Sequence, residues 1–235
     1  HLFLNGKKPI QHRSSYGLGE VIKAALDNHT EHLVISLGGI GSFDGGAGML
    51  QALGARFYDD EAQIVDMRKG ADLIKYIRRI DLSGVHPQLA KVNIQLMSDF
   101  SSRLYGKKSE IMQTYESLDL SQNEAAEIDN LIWYFSELFK NELKIAMGPI
   151  ERGGAGGGIA AVLNSLYQAE ILTSHELVNQ ITHLENLIQQ ADLIIFGEGL
   201  KEEDQILETT TIRIAELTQQ YNKPAIAICA TNDKF

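Results

Sequence analysis

A chain of 235 residues, 44% hydrophobic and 22% charged, has the make-up of an ordinary globular protein, with room for one large domain or two small ones. Its 21 Lys and Arg against 31 Asp and Glu leave a net charge of −10, which sets its field against phosphate backbones and anionic lipid and so excludes nucleic acid and membrane as expected partners. A single cysteine, Cys229, allows no internal disulfide and fits a reducing, cytoplasmic compartment.

The opening residues HLFLNGKKPIQHR do not read as a signal peptide, and no apolar run reaches membrane-spanning length. GLGEVIKAALDNH (17–29) lines Val21, Ile22, Ala25 and Leu26 along one side, the pattern of an amphipathic helix. HLVISL (32–37) is short and almost continuously apolar, which predicts a strand covered on both faces; VNIQLM (92–97), DLIIF (192–196) and PAIAICA (224–230) repeat the pattern. The polar stretch 57–90 predicts loops with one short helix around 71–80. EAAEIDNLIWYFSELFKNELKIAM (124–147) predicts the longest helix, with Ile128, Leu131, Ile132, Phe135, Leu138 and Phe139 at three-and-four spacing. Its aromatic residues Trp133, Tyr134, Phe135 and Phe139 read as core or interface. HELVNQITHLENLIQQA (175–191) predicts a helix capped by Ser174, and EDQILETTTIRIAELTQQY (203–221) predicts one feeding the last strand. This alternation argues an α/β fold, a mostly parallel sheet with flanking helices.

Thirteen of the 21 glycines sit in three stretches. The first runs from Gly38 to Gly48 after HLVISL, the second from Gly153 to Gly158 before the helical IAAVLNSLYQA, and the third is Gly197-Glu198-Gly199 after DLIIF. Glycine admits positive φ and close backbone approach, and successive N–H groups at a helix start can cradle an anion. Tight turns and close helix–sheet packing would use the same residues. Neither GxxxxGK[ST] nor GxGxxG is present, which excludes the two common nucleotide motifs. No HxxxH or Cys/His spacing suggests zinc, and no GxSxG elbow is found.

At these stretches the chain resembles the glycerate kinase family, bacterial enzymes that phosphorylate glycerate with ATP. SSYGLGEVIKAALDN (14–28) is similar to the family's TSYGTGELI-type helix start, and HLVISLGGIGSFDGGAGMLQALGARFYD (32–59) to its GGSATxDGGxGxxxALGxxF signature. GGAGGGIAAVL (153–163) resembles its GAAGGMGxA segment, and DLIIFGEGL (192–200) its TGEGRxD strand and loop. The resemblance implies a glycerate kinase-like fold lacking its N-terminal segment, with its PDSFKGS-like motif, and its closing elements. Residues 1–235 are then one α/β region of a longer two-domain protein.

A second departure is chemical. The family's CDVxNPLxG…FGPQKG region appears as SDFSSRLYGKKSEIMQTYESLD (98–119), which keeps Asp99, Leu104 and Gly106 and loses the Asn-Pro and the FGPQKG box. Beyond GEG the family's Arg-x-Asp and Gly-Lys are replaced by Leu200-Lys201-Glu202-Glu203-Asp204 and by Thr209. Cations that stabilise a transferring phosphoryl group can contribute factors of about 10³ or more. Lys107, Lys108 or Lys201 would have to stand in.

The resemblance implies ATP-dependent phosphoryl transfer to a hydroxyl of D-glycerate, with ATP and glycerate as small-molecule partners, Mg²⁺ as the metal, and self-association left open. Asp44 would hold Mg²⁺ or a substrate hydroxyl, or else close an Asx-turn or cap a helix. Asp99, at a strand's carboxyl end, would act as base or metal ligand, or else cap a loop. Glu198 would serve the nucleotide side or cap the next helix, and Arg152 would pair with a phosphate or with glycerate's carboxylate, or lie solvated in its loop. Gly38, Gly39, Ser42, Gly45, Gly46, Gly154, Gly156, Gly157, Gly197 and Gly199 would contribute the binding loops. The alternative is a non-catalytic, ligand-binding or interaction relative that has lost the phosphoryl-transfer residues.

Overall fold

The computed structural model describes residues 9–39, 41–198 and 210–229. Two compact units divide the chain: residues up to 96 with 101–171, and residues 97–100 with those from 172 onward.

In the first unit α1 (Tyr16–Asp27) leads to β1 (His32–Ser36), the first glycine loop and α2 (Ala47–Ala52). β2 (Arg56–Tyr58) pairs antiparallel with β3 (Arg79–Asp81), placing Phe57 opposite Ile80. β4 (Asn93–Met97), α3 (Glu110–Thr114), α4 (Gln122–Leu143), α5 (Ile159–Tyr167) and β5 (Glu170–Leu172) follow, and three strands lie in the order β1-β4-β5. The helix expected near 71–80 is a 3₁₀ segment, Ala71–Tyr76, and residues 79–81 form β3 instead. A three-residue strand is too short to leave a periodic signal in the sequence.

The core gathers around α4. Its start is closed by a capping box: Ser121 Oγ accepts from the Glu124 N–H, and the Glu124 carboxylate accepts from the Ser121 N–H at 2.8 Å. Phe135 and Phe139 are fully buried with ring centroids 4.9 Å apart, edge to face, and Phe57 lies 5.8 Å from Phe135. The neighbouring aromatics point elsewhere: Trp133 is exposed, and Tyr134 donates its hydroxyl to Ile77 O at 2.7 Å. Ser121→Ala should lower stability by about 1 kcal/mol, read as a shift in urea midpoint. An unchanged midpoint would mean the box does not form in solution.

The second unit holds α6 (Ser174–Thr182), α7 (Leu184–Gln190), β6 (Ile194–Glu198), α8 (Thr210–Gln220) and β7 (Ala225–Cys229), with β6 and β7 parallel. One helix was expected over 175–191; it breaks at His183, which adopts a left-handed conformation with φ 51°. Its cap is Thr173 rather than Ser174, because Thr173 and Glu176 form a second capping box. Gly197 and Glu198 belong to β6, opposite Ile228 and Cys229, and not to a loop.

The architecture is α/β with a parallel sheet and flanking helices. The expectation that the apolar strands are covered on both faces is not met: Val34 is 55% exposed, Ile195 61% and Ile228 63%. An apolar run states what a strand can bury; whether a layer covers it depends on segments outside the run.

Candidate functional site

The first glycine loop is built around Asp44. This side chain is fully buried, and its Oδ2 accepts from the Ser15 N–H (2.8 Å), the Ser15 hydroxyl (2.9 Å), the Gly48 N–H (3.1 Å) and the Ser14 hydroxyl (3.3 Å). Oδ1 accepts from the Gly46 N–H at 3.1 Å. Burial pushes the carboxyl's pKa up, and these donors pull it back. Ser15 extends the lock, since its Oγ also accepts from the Met49 N–H at 2.9 Å. Asp44 thus ties the start of α1 to the start of α2.

The second loop is seated directly on the first. The Gly45 N–H donates to Gly157 O at 3.0 Å. Gly157 has φ +63°, and a Cβ placed on it would lie 2.0 Å from Ser42 O, so only glycine fits there. The whole run from Gly153 to Gly158 is buried.

Every N–H from Gly153 to Ala161 has a partner inside the protein. Seven of these go to backbone carbonyls. The other two face the carboxylate of Glu110: the Gly157 N–H donates to Oε2 at 3.1 Å, and the Gly156 N–H beside it acts on the same carboxylate. Glu110 opens α3 behind the N-cap Ser109. Protein encloses most of its carboxylate, and this burial pushes its pKa up to about 7 against the pull of the two N–H groups.

These contacts also place the altered 98–119 stretch. Gly154 N–H donates to Ser102 O, Arg103 Nη1 donates to Pro149 O at 3.2 Å, and Gly106 N–H donates to Asp129 on α4. The segment carrying Lys107 and Lys108 therefore borders the second loop. Ser102, 2% exposed, presents a hydroxyl without a hydrogen-bond partner among the described residues.

The expected site residues separate into groups. Asp44, Ser42, Gly45, Gly46, Gly154, Gly156 and Gly157 come together as one buried assembly in the first unit. Gly38 and Gly39 stand exposed at its strand side, where Arg13 Nη1 donates to Gly41 O at 3.4 Å. Arg152 is half-buried at the entry to the second loop, in a left-handed conformation. In the second unit Asp99 Oδ1 accepts from the Ser174 N–H at 2.7 Å, so it caps α6 rather than a turn at 101–106. Gly197 is exposed on β6; Gly199 and the side chains of Glu198 and Cys229 lie outside the described residues.

Ser14, Ser15, Arg13 and Glu110 were not singled out by the sequence. The serines sit in the SSYG motif, a usable signal. Glu110 lies where the resemblance is most eroded, and nothing there marks it.

Asp44 does not fit a magnesium ligand. Both its oxygens already face N–H and O–H protons, where a cation would meet five donors. Among the described residues no three His, Cys, Asp or Glu side chains are grouped to hold a metal. An opening of about 470 Å³ lies elsewhere in the first unit, lined by Asp72, Lys75, Glu124, Glu127 and Ile128 among others, none of them an expected site residue.

The glycerate kinase family model matches residues 2–234. The chain belongs to the glycerate kinase family. It is 31% identical over 231 residues to a glycerate kinase of Halalkalibacterium halodurans, covering 98% of this chain and 60% of that protein. It is 30% identical to a glycerate 2-kinase of Escherichia coli, covering 93% and 57%. The crystal structure of a glycerate kinase 2 from Salmonella typhimurium superposes with a TM-score of 0.80 at 31% identity, over 95% of this chain and 59% of that one. The chain therefore spans about three fifths of the length of these glycerate kinases.

Proposed function

We propose that the polypeptide containing this chain transfers a phosphoryl group from ATP to a hydroxyl of D-glycerate in the cytoplasm. The observation that carries this reading is the interlocked pair of glycine loops, in a chain matched from end to end by the family. Such chemistry asks little covalent work of a protein; positioning and charge stabilisation do most of it. In the first unit the exposed backbone at Gly38 and Gly39, with Arg13 bonded to the neighbouring Gly41, and Arg152 at the entry to the second loop are assigned to anionic groups of the substrates. In the second unit Asp99 and Glu198 keep the assignments the resemblance implies. Asp44 serves the architecture of the first loop, both its oxygens being occupied by N–H and O–H donors.

A second reading, a relative that binds without turnover, is favoured by one observation: the N–H groups of Gly45 to Leu50 and of Gly153 to Ala161 are already bonded within the protein. A coupled ADP-release assay with ATP, Mg²⁺ and D-glycerate on the complete polypeptide separates the two. Glycerate-dependent ADP release is the expected result. Calorimetric binding of ATP and D-glycerate without turnover would overturn the kinase reading.

A further inference from the structure

Two of the nine loop N–H donors differ from the rest in what holds them. Seven are closed by backbone carbonyls, which cannot leave without unfolding the loop. Those of Gly156 and Gly157 are closed by the Glu110 side chain, which can rotate away. A carboxylate on two successive glycine N–H groups is what a bound phosphate oxygen would look like there. The same loop passes the buried Ser102, whose hydroxyl has no partner among the described residues and whose Oγ would stand 2.7 Å from a Cβ on Gly154.

We propose that Glu110 is an internal occupant of the second glycine loop: its carboxylate fills the Gly156–Gly157 N–H pair, and a phosphate-bearing ligand binds there by replacing it. This rests on the reading that the loop receives an anion. It makes Glu110 a positioning residue that sets the loop's anion affinity.

Competition of this kind depends on Glu110's charge. Ionised, it bonds both N–H groups and repels an incoming anion; protonated, it does neither as well. The charged groups on surrounding elements are Arg103, Lys107 and Lys108 in the preceding segment, Arg152 in the loop, and Asp129 among the acids of α4. Burial and the two N–H groups, not these charges, set its titration, near pH 7. Anion affinity should then fall by about tenfold from about pH 6 to about pH 8, following the protonated fraction.

The test is binding of sulfate, whose own charge is constant over that range, and of ATP, to the complete polypeptide and to its Glu110→Gln variant. Wild type should lose about tenfold in sulfate affinity across the range. The variant should bind both ligands more tightly at the higher pH, with a sulfate profile close to flat. For ATP the ratio of the two proteins cancels the ligand's own ionisation. Equal ATP affinities and parallel sulfate profiles would overturn the proposal and leave the kinase reading standing. Failure of both proteins to bind either ligand would overturn both. Should the variant not fold, the wild-type sulfate profile decides alone: a flat profile overturns the proposal.

Discussion

Gly157→Ala is expected to destabilise the chain by about 3 kcal/mol or more, combining left-handed backbone strain with overpacking. The added methyl would meet Ser42 O at 2.0 Å and Phe43 Cα at 2.9 Å, and both belong to the buried first loop. Neither can yield without moving the Gly45–Gly157 hydrogen bond that joins the two loops. Gly106→Ala is the control, because Gly106 also has a positive φ, +89°, with nothing within 4 Å of the added carbon. It should cost only about 1 kcal/mol from backbone strain. Equilibrium denaturation of the two variants measures the difference. Equal losses would mean that the loops do not touch in solution.

Asp44→Ala should be comparably severe. It removes the acceptor of three backbone N–H groups and two hydroxyls at a site with no access to water, at a cost of about 3–5 kcal/mol. Asp44→Asn separates the oxygens. Four donors converge on Oδ2 and one on Oδ1, so an amide oriented with its oxygen at Oδ2 opposes only the Gly46 N–H. About 1–3 kcal/mol is expected for it. Denaturant midpoints for both variants, measured beside turnover, decide what Asp44 does. Normal stability with abolished turnover would return it to the chemistry that the family resemblance implied.

The positions of the loops were legible because glycine clusters are compositional: FDGGAG and GGAGGG announce a backbone that must turn or be approached. Their occupants were not. Whether an N–H faces a ligand or another part of the chain depends on a partner far away in sequence, and Glu110 stands 46 and 47 residues before the glycines it serves. Asp44 shows the same effect in reverse. Flanked by glycines it reads as an open carboxylate, yet Ser14 and Ser15, about 30 residues earlier, fold over it and close it from water.

Secondary structure follows the same division. The long period of α4 was carried by local spacing, which tertiary packing confirmed; on α1 the same spacing held for Ile22 and Leu26, which are buried, and not for Val21, which is exposed. β2, β3 and β5, at three residues each, exist through pairing and left no local trace. The break at His183 interrupts a pattern that still looks helical, because a single left-handed residue leaves the hydrophobic spacing on either side intact.

Sequence alone, then, settled the fold class, the first two glycine loops and the family, since each is recorded in spacing and ordered motifs along the chain; the third stretch, read as a loop, begins inside β6. Which of those glycines pack and which stay open, and which carboxylate fills which loop, emerged only in three dimensions. Burial and hydrogen-bond pairing are relations between distant segments, and a one-dimensional pattern does not contain them.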